Sequence, residues 1–118
     1  MSDALQRLIE AVEAGAYDAQ VALFNCFAEA WEEAFGTHTG PNYDTGFKAY
    51  RGSLDAAKAI HDALLPGWHW CADDGQGQDS PFWHVFEFDG ERRAEGEAKT
   101  PARAWLIAIL AAYQQVQQ

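Results

Sequence analysis

Apolar residues recur along this chain first at helical and then at alternating spacing. Leu5, Leu8, Ile9 and Val12 fall at i, i+3, i+4 and i+7, which predicts a short amphipathic helix over residues 2–12, with Ser2 as cap and Gly15 as terminator. From Asp18 the pattern restarts with Val21, Phe24, Ala28, Trp31 and Phe35, with Phe27 beside them, so a longer helix rich in aromatics is expected up to Gly36. The run GTHTGPNYDTGFKAYRG over residues 36–52 has four glycines, a proline and no sustained period, and is expected to be a long loop. A loop of that length is a candidate functional surface.

Ser53 then supplies a capping hydroxyl and Asp55 a negative charge in the first turn of a third helix, whose apolar face is Leu54, Ala57, Ile60, Ala63 and Leu64 and whose end is Pro66-Gly67. Trp68, Trp70 and Ala72 alternate with His69 and Cys71, and Phe82, His84, Phe86 and Phe88 alternate with Trp83, Val85 and Glu87. Apolar groups on both faces predict strands covered on both sides, hence a central antiparallel sheet between helical layers. Asp89-Gly90 is a tight-turn signal leading into ERRAEGEA, whose charges and Gly96 suit an edge strand. Thr100 caps the last helix and Pro101 occupies its first position, where the missing N–H would be unpaired anyway. Trp105, Ile109, Ala112 and Val116, with Ala102, Leu106 and Tyr113, make that helix apolar over most of its circumference, so it should be the most buried. The expected fold is α+β: an α/β/α sandwich with a central, mainly antiparallel three-stranded sheet and about four helices, in one domain spanning residues 1–118.

Composition narrows the partners more than the chemistry. The net charge of -10 opposes a polyanion, so direct nucleic-acid binding and an anionic membrane surface are disfavoured. The acidity is uneven: Asp73, Asp74, Asp79, Glu87, Asp89, Glu91, Glu95 and Glu97 stand against only Arg92 and Arg93 in that stretch. No apolar run approaches a membrane span, and the first residues lack the basic start and apolar stretch of a secretory signal, so cytoplasmic residence is expected. Cys26 and Cys71 are 45 positions apart with no pairing framework and are expected to be reduced and buried.

Four segments together carry a family resemblance: the capped helix SLDAAKAIHDAL, the turn LLPGWHW, the strand PFWHVFEF, and GEAKTPARAWLIAIL, a small-residue strand running into Thr-Pro-Ala and an apolar helix. In order and spacing they resemble the phage ABA sandwich domain family, over roughly the last two thirds of the chain from about Tyr50. The resemblance implies an α/β/α sandwich and a phage or prophage origin. It brings no established catalytic residues, so none are assigned.

Catalytic signals are sparse. His69 and Cys71 share a strand face and His84 lies on the next strand, but a zinc site needs three or four convergent ligands and the chain has no CxxC, HxxxH or Cys/His cluster, so no metal or other cofactor is expected. A Cys71/His84 nucleophilic pair lacks a local activating signal. The carboxylate pairs Asp73/Asp74, Glu32/Glu33 and Glu95/Glu97 fall on predicted loops or exposed faces, where solvated charge is the simpler reading. Anion binding is conceivable where Lys48, Tyr50 and Arg51 precede one helix N-terminus and Lys99, Thr100 and Arg103 surround another.

The leading functional expectation is a non-enzymatic phage counter-defence protein of the anti-CRISPR type, whose acids at residues 73–97 mimic phosphates on a basic surface of a host defence complex. The alternative is a protein that sequesters a nucleotide immune signal through Lys48, Tyr50, Arg51 and Arg103; a phage accessory structural role is a third. The aromatic-rich helices leave room for a homodimer through a helical face.

Overall fold

The computed structural model describes residues 3–17, 23–36, 41–73, 82–87 and 92–116, and of residues 3, 23–25 and 73 the backbone only. Helices α1 (Asp3–Ala14), α2 (Leu23–Phe35), α3 (Tyr43–Tyr50) and α4 (Leu54–Leu64) precede strands β1 (His69–Asp73), β2 (Phe82–Phe86) and β3 (Arg93–Glu97), and α5 (Pro101–Val116) follows. The fold is α+β with an antiparallel sheet of order β1-β2-β3.

The apolar stripes of α1, α2 and α5 are largely buried, whereas Leu54 and Ala63 of the stripe expected on α4 and Val116 at the end of that on α5 are exposed. Leu5, Leu8, Ile9 and Val12 of α1 and Phe27, Trp31 and Phe35 of α2 all lie in the core, whereas the side chain of Phe24 is outside the described set. Phe27 stacks on Trp31 with ring centroids 5.6 Å apart, Trp31 meets Phe35 at 4.6 Å, and Phe35 meets Tyr113 of α5 at 5.4 Å. As expected, α5 is the central helix, buried continuously from Ala102 to Leu110. Complete burial of Leu106, Ile109 and Leu110 contributes about 1.5–3 kcal/mol each. It packs on β2 and β3 on one side and on α1, α3 and α4 on the other.

Residues 36–52 are not one long loop, because Tyr43–Tyr50 is helical. Asn42 caps it, its Oδ1 accepting from the backbone N–H of Thr45 at 2.9 Å, and Lys48 reaches back to Asp44 at 3.1 Å. Gly46 hid this helix from sequence reading. Glycine costs a helix roughly 1 kcal/mol relative to alanine, but here the Trp31 ring lies where a side chain would be: a Cβ would come within 2.7 Å of it. Tertiary packing therefore selects both the helix and its glycine.

The sheet differs from expectation in its coverage. Trp70↔Val85↔Ala94 and Ala72↔Trp83↔Gly96 run across the three strands on the face towards α5. The opposite face carries no helix among the described residues, and its aromatics Phe82 and Phe86 are half-buried. Both cysteines are free and exposed rather than buried. Cys26 stands next to Phe27, which takes the inward position on α2, and Cys71 alternates onto the open face of the sheet opposite His84. β3 is an edge strand as expected, but Gly96 has a further reason: a Cβ there would sit 2.1 Å from the Ala104 carbonyl oxygen of α5. The Asp89-Gly90 turn lies outside the described residues.

Candidate functional site

Strand alternation and antiparallel register build the open face of the sheet as a grid. Its rows are His69↔Phe86↔Arg93, Cys71↔His84↔Glu95 and Asp73↔Phe82↔Glu97. Acid therefore concentrates at the β3 side and aromatic surface at the centre. Glu95 and Glu97 are exposed, while Phe82, His84 and Phe86 are half-buried. His69 stacks on Phe86 with centroids 5.6 Å apart, and Phe82 meets His84 edge-on at 4.7 Å. One carboxylate oxygen of Glu95 lies 3.2 Å from the Arg93 guanidinium and 3.5 Å from Nδ1 of His84.

Where the grid meets the hairpin, Glu87 and Arg92 form a two-point ion pair, and the Glu87 N–H donates to the Arg92 carbonyl at 3.0 Å. The Arg92 guanidinium holds the Glu87 carboxyl below its ordinary pKa and lies 5.9 Å from the Trp68 ring centroid. Glu87 is thus partly neutralised by Arg92 and Glu95 by Arg93, though Glu95, like Glu97, stays exposed on the face. Asp74, Asp79, Asp89, Glu91 and the side chain of Asp73 are outside the described residues.

The basic candidates have other neighbours. Lys48 and Arg51 are exposed; the first pairs with Asp44, and the second lies 5.8 Å over the Phe47 ring. Tyr50 is completely buried, its hydroxyl accepting from the Tyr17 N–H at 3.0 Å. Arg103 is 7% exposed, donates through Nε to the Tyr50 carbonyl at 3.0 Å, and stacks 3.8 Å above the Tyr50 ring. Tyr50 and Arg103 are therefore brought together as an internal joint between α3 and α5. At the start of α5, a cleft of about 220 Å³ is lined by Glu13, Ala14, Gly15, Glu97, Ala98, Lys99 and Arg103. It is smaller than the few hundred Å³ usual for a ligand pocket and mixes both signs of charge.

Among the described residues, no three His, Cys, Asp or Glu side chains converge as metal ligands, and no helix is long and apolar enough to cross a membrane. The part of the surface that sequence reading missed is the pairing of acid with half-buried aromatics. Its signal is the alternation Phe82, His84, Phe86, which from sequence predicts a second buried face. Comparison of the chain with known protein families, curated proteins and solved structures finds no match.

Proposed function

We propose that this domain is a non-enzymatic binding protein that sets the acidic side of its open sheet face against a basic, nucleic-acid-handling surface of a partner, acting as a phage counter-defence inhibitor of a host immune complex. The observation that carries the reading is the juxtaposition of exposed Glu95 and Glu97 on β3 with half-buried Phe82 and Phe86 on β2. Aromatic surface that is already partly desolvated and held by its neighbours suits the centre of an interface, and exposed carboxylates suit its rim. The net charge of -10 steers such a face towards cationic surfaces and away from nucleic acid itself.

The test is capture from a lysate of a bacterium carrying CRISPR complexes, with the chain immobilised. The expected partner handles nucleic acid, is displaced by added nucleic acid and by salt, and is lost on the double change Glu95→Lys, Glu97→Lys. Retention insensitive to salt and to both charge reversals would sink the proposal.

A further inference from the structure

The two edges of the sheet are unlike. β3 alternates Arg93, Glu95 and Glu97 with the small Ala94 and Gly96, and charge on an edge discourages pairing with another chain. β1 has no lysine, proline or glycine. Its residues His69, Trp70, Cys71 and Ala72 are all exposed, and no further strand is hydrogen-bonded to it among the described residues. Trp70 keeps 44% of its surface exposed although its ring is already fixed, 4.8 Å from the Trp105 centroid and 5.7 Å from that of Trp83.

The strand is also complementary to itself. HWCAD is centred on Cys71, so an antiparallel copy in register about that residue sets His69 opposite Asp73 and Trp70 opposite Ala72, each twice, with Cys71 facing its own copy. The large Trp70 thus lies opposite the small Ala72 in both halves of the pair. A ring held in place before pairing loses little freedom on association.

We propose that β1 is a homodimer edge, at which two copies of the chain pair antiparallel about a twofold at Cys71 and join their sheets into one of six strands. Facing residues of antiparallel strands project to the same side. The two open faces therefore lie on one side of the joined sheet, with the acidic β3 strands at its ends, five strand spacings or roughly 24 Å apart. This dimer uses a sheet edge and not the helical face expected from the sequence, and it stands independently of the partner proposed above.

The test uses the full chain at physiological ionic strength, where the Debye length is about 8 Å and the repulsion between two chains of charge -10 is largely screened. Sedimentation equilibrium at micromolar concentration is expected to give twice the 13.1 kDa of one chain. Facing Cα atoms in antiparallel strands are about 4.5–5.5 Å apart, within disulfide range. A diazenedicarboxamide oxidant removes one hydrogen from each of two thiols and becomes the hydrazine, leaving a disulfide. With it, the Cys26→Ser variant is expected to form a covalent dimer and the Cys71→Ser variant none. Trp70→Lys is expected to give a monomer with unchanged far-UV circular dichroism. A monomeric native chain, or a dimer without the Cys71 link, overturns the proposal. The Cys26→Ser result leaves β1 untouched and decides the matter even where Trp70→Lys fails to fold.

Discussion

The indole N–H of Trp105 donates to Nδ1 of buried His61 across 3.2 Å, which fixes the tautomer of the imidazole. Because Nδ1 accepts, Nε2 carries the proton and donates to the Trp68 carbonyl at 2.9 Å. One neutral ring thereby joins α4 to α5 and to the residue that leads into β1. The intervening Leu-Pro-Gly-Trp turn closes with the Trp68 N–H on the Leu65 carbonyl at 3.0 Å, and Gly67 takes the positive φ of 85° that such a turn requires at its third residue.

Acid should loosen this joint. Burial holds the His61 pKa below its ordinary value, against smaller upward pulls from the Trp68 carbonyl and Asp62. As pH falls the unfolded chain takes up this proton first, so the contribution is present in full above the unfolded pKa of about 6.5 and is lost between that value and the lower folded pKa. The slope for one proton is at most about 1.4 kcal/mol per pH unit. Urea midpoints measured from about pH 7 to about pH 5 should fall, and His61→Gln, which has no proton to take up, should flatten that part of the profile. An unchanged slope in the variant would assign the effect to other groups.

Glycine positions should rank by what surrounds them. At Gly96 the added methyl meets backbone, the Ala104 oxygen at 2.1 Å and the Ala108 nitrogen at 2.8 Å, so β3 must move off α5. Gly96→Ala is expected to cost about 3 kcal/mol or more. At Gly46 the obstacle is the Trp31 ring, and roughly 1 kcal/mol of helix propensity offsets part of the strain. Denaturant unfolding should therefore place Gly46→Ala between the native chain and Gly96→Ala; the reverse order would contradict the packing described.

The sequence made some of this legible through periodicity and some not at all. Spacings of three and four identified the buried faces of α1, α2 and α5, and the Ser53 and Thr100 caps marked two helix starts, with Ser53 Oγ accepting from the Ala56 N–H at 3.1 Å and Thr100 Oγ1 from the Arg103 N–H at 3.1 Å. Helix α3 was hidden because the reason for Gly46 lies in Trp31, fifteen positions away on another helix. The open sheet face was hidden because alternating aromatics look the same in the sequence whether or not a helix packs over them. Charge was readable as a total, but its arrangement was not: Arg92 pairs with Glu87 and Arg93 with Glu95, while Glu95 and Glu97 stay exposed.

The tryptophans of the sheet layer should respond differently to truncation. Trp83 stacks on Trp105 with centroids 4.8 Å apart, and its buried indole N–H has no acceptor among the described residues. Trp83→Phe thus removes a desolvated donor along with packing volume, and the two effects partly cancel. Trp105→Phe removes a donor that His61 uses, and it strands Nδ1 in the core. Trp105→Phe is expected to be the more destabilising by about 1–2 kcal/mol in urea unfolding, and equal losses would show that packing volume alone governs both sites.

Arg103 distinguishes an internal joint from a ligand site. Its Nε bond to the Tyr50 carbonyl and its stacking on the Tyr50 ring need a planar guanidinium, which lysine cannot supply at the same place. Arg103→Lys should therefore cost about 1–3 kcal/mol and lower the Tm by several degrees in the absence of any ligand. A ligand that binds only the folded chain raises its Tm. If Lys48, Tyr50, Arg51 and Arg103 held a nucleotide, adenine nucleotides would stabilise the native chain and lose that effect in the variant. The burial of Tyr50 and Arg103 leads to the opposite expectation. Thermal scans with and without adenine nucleotide should superimpose for the native chain, and the variant should melt lower by the same amount in both.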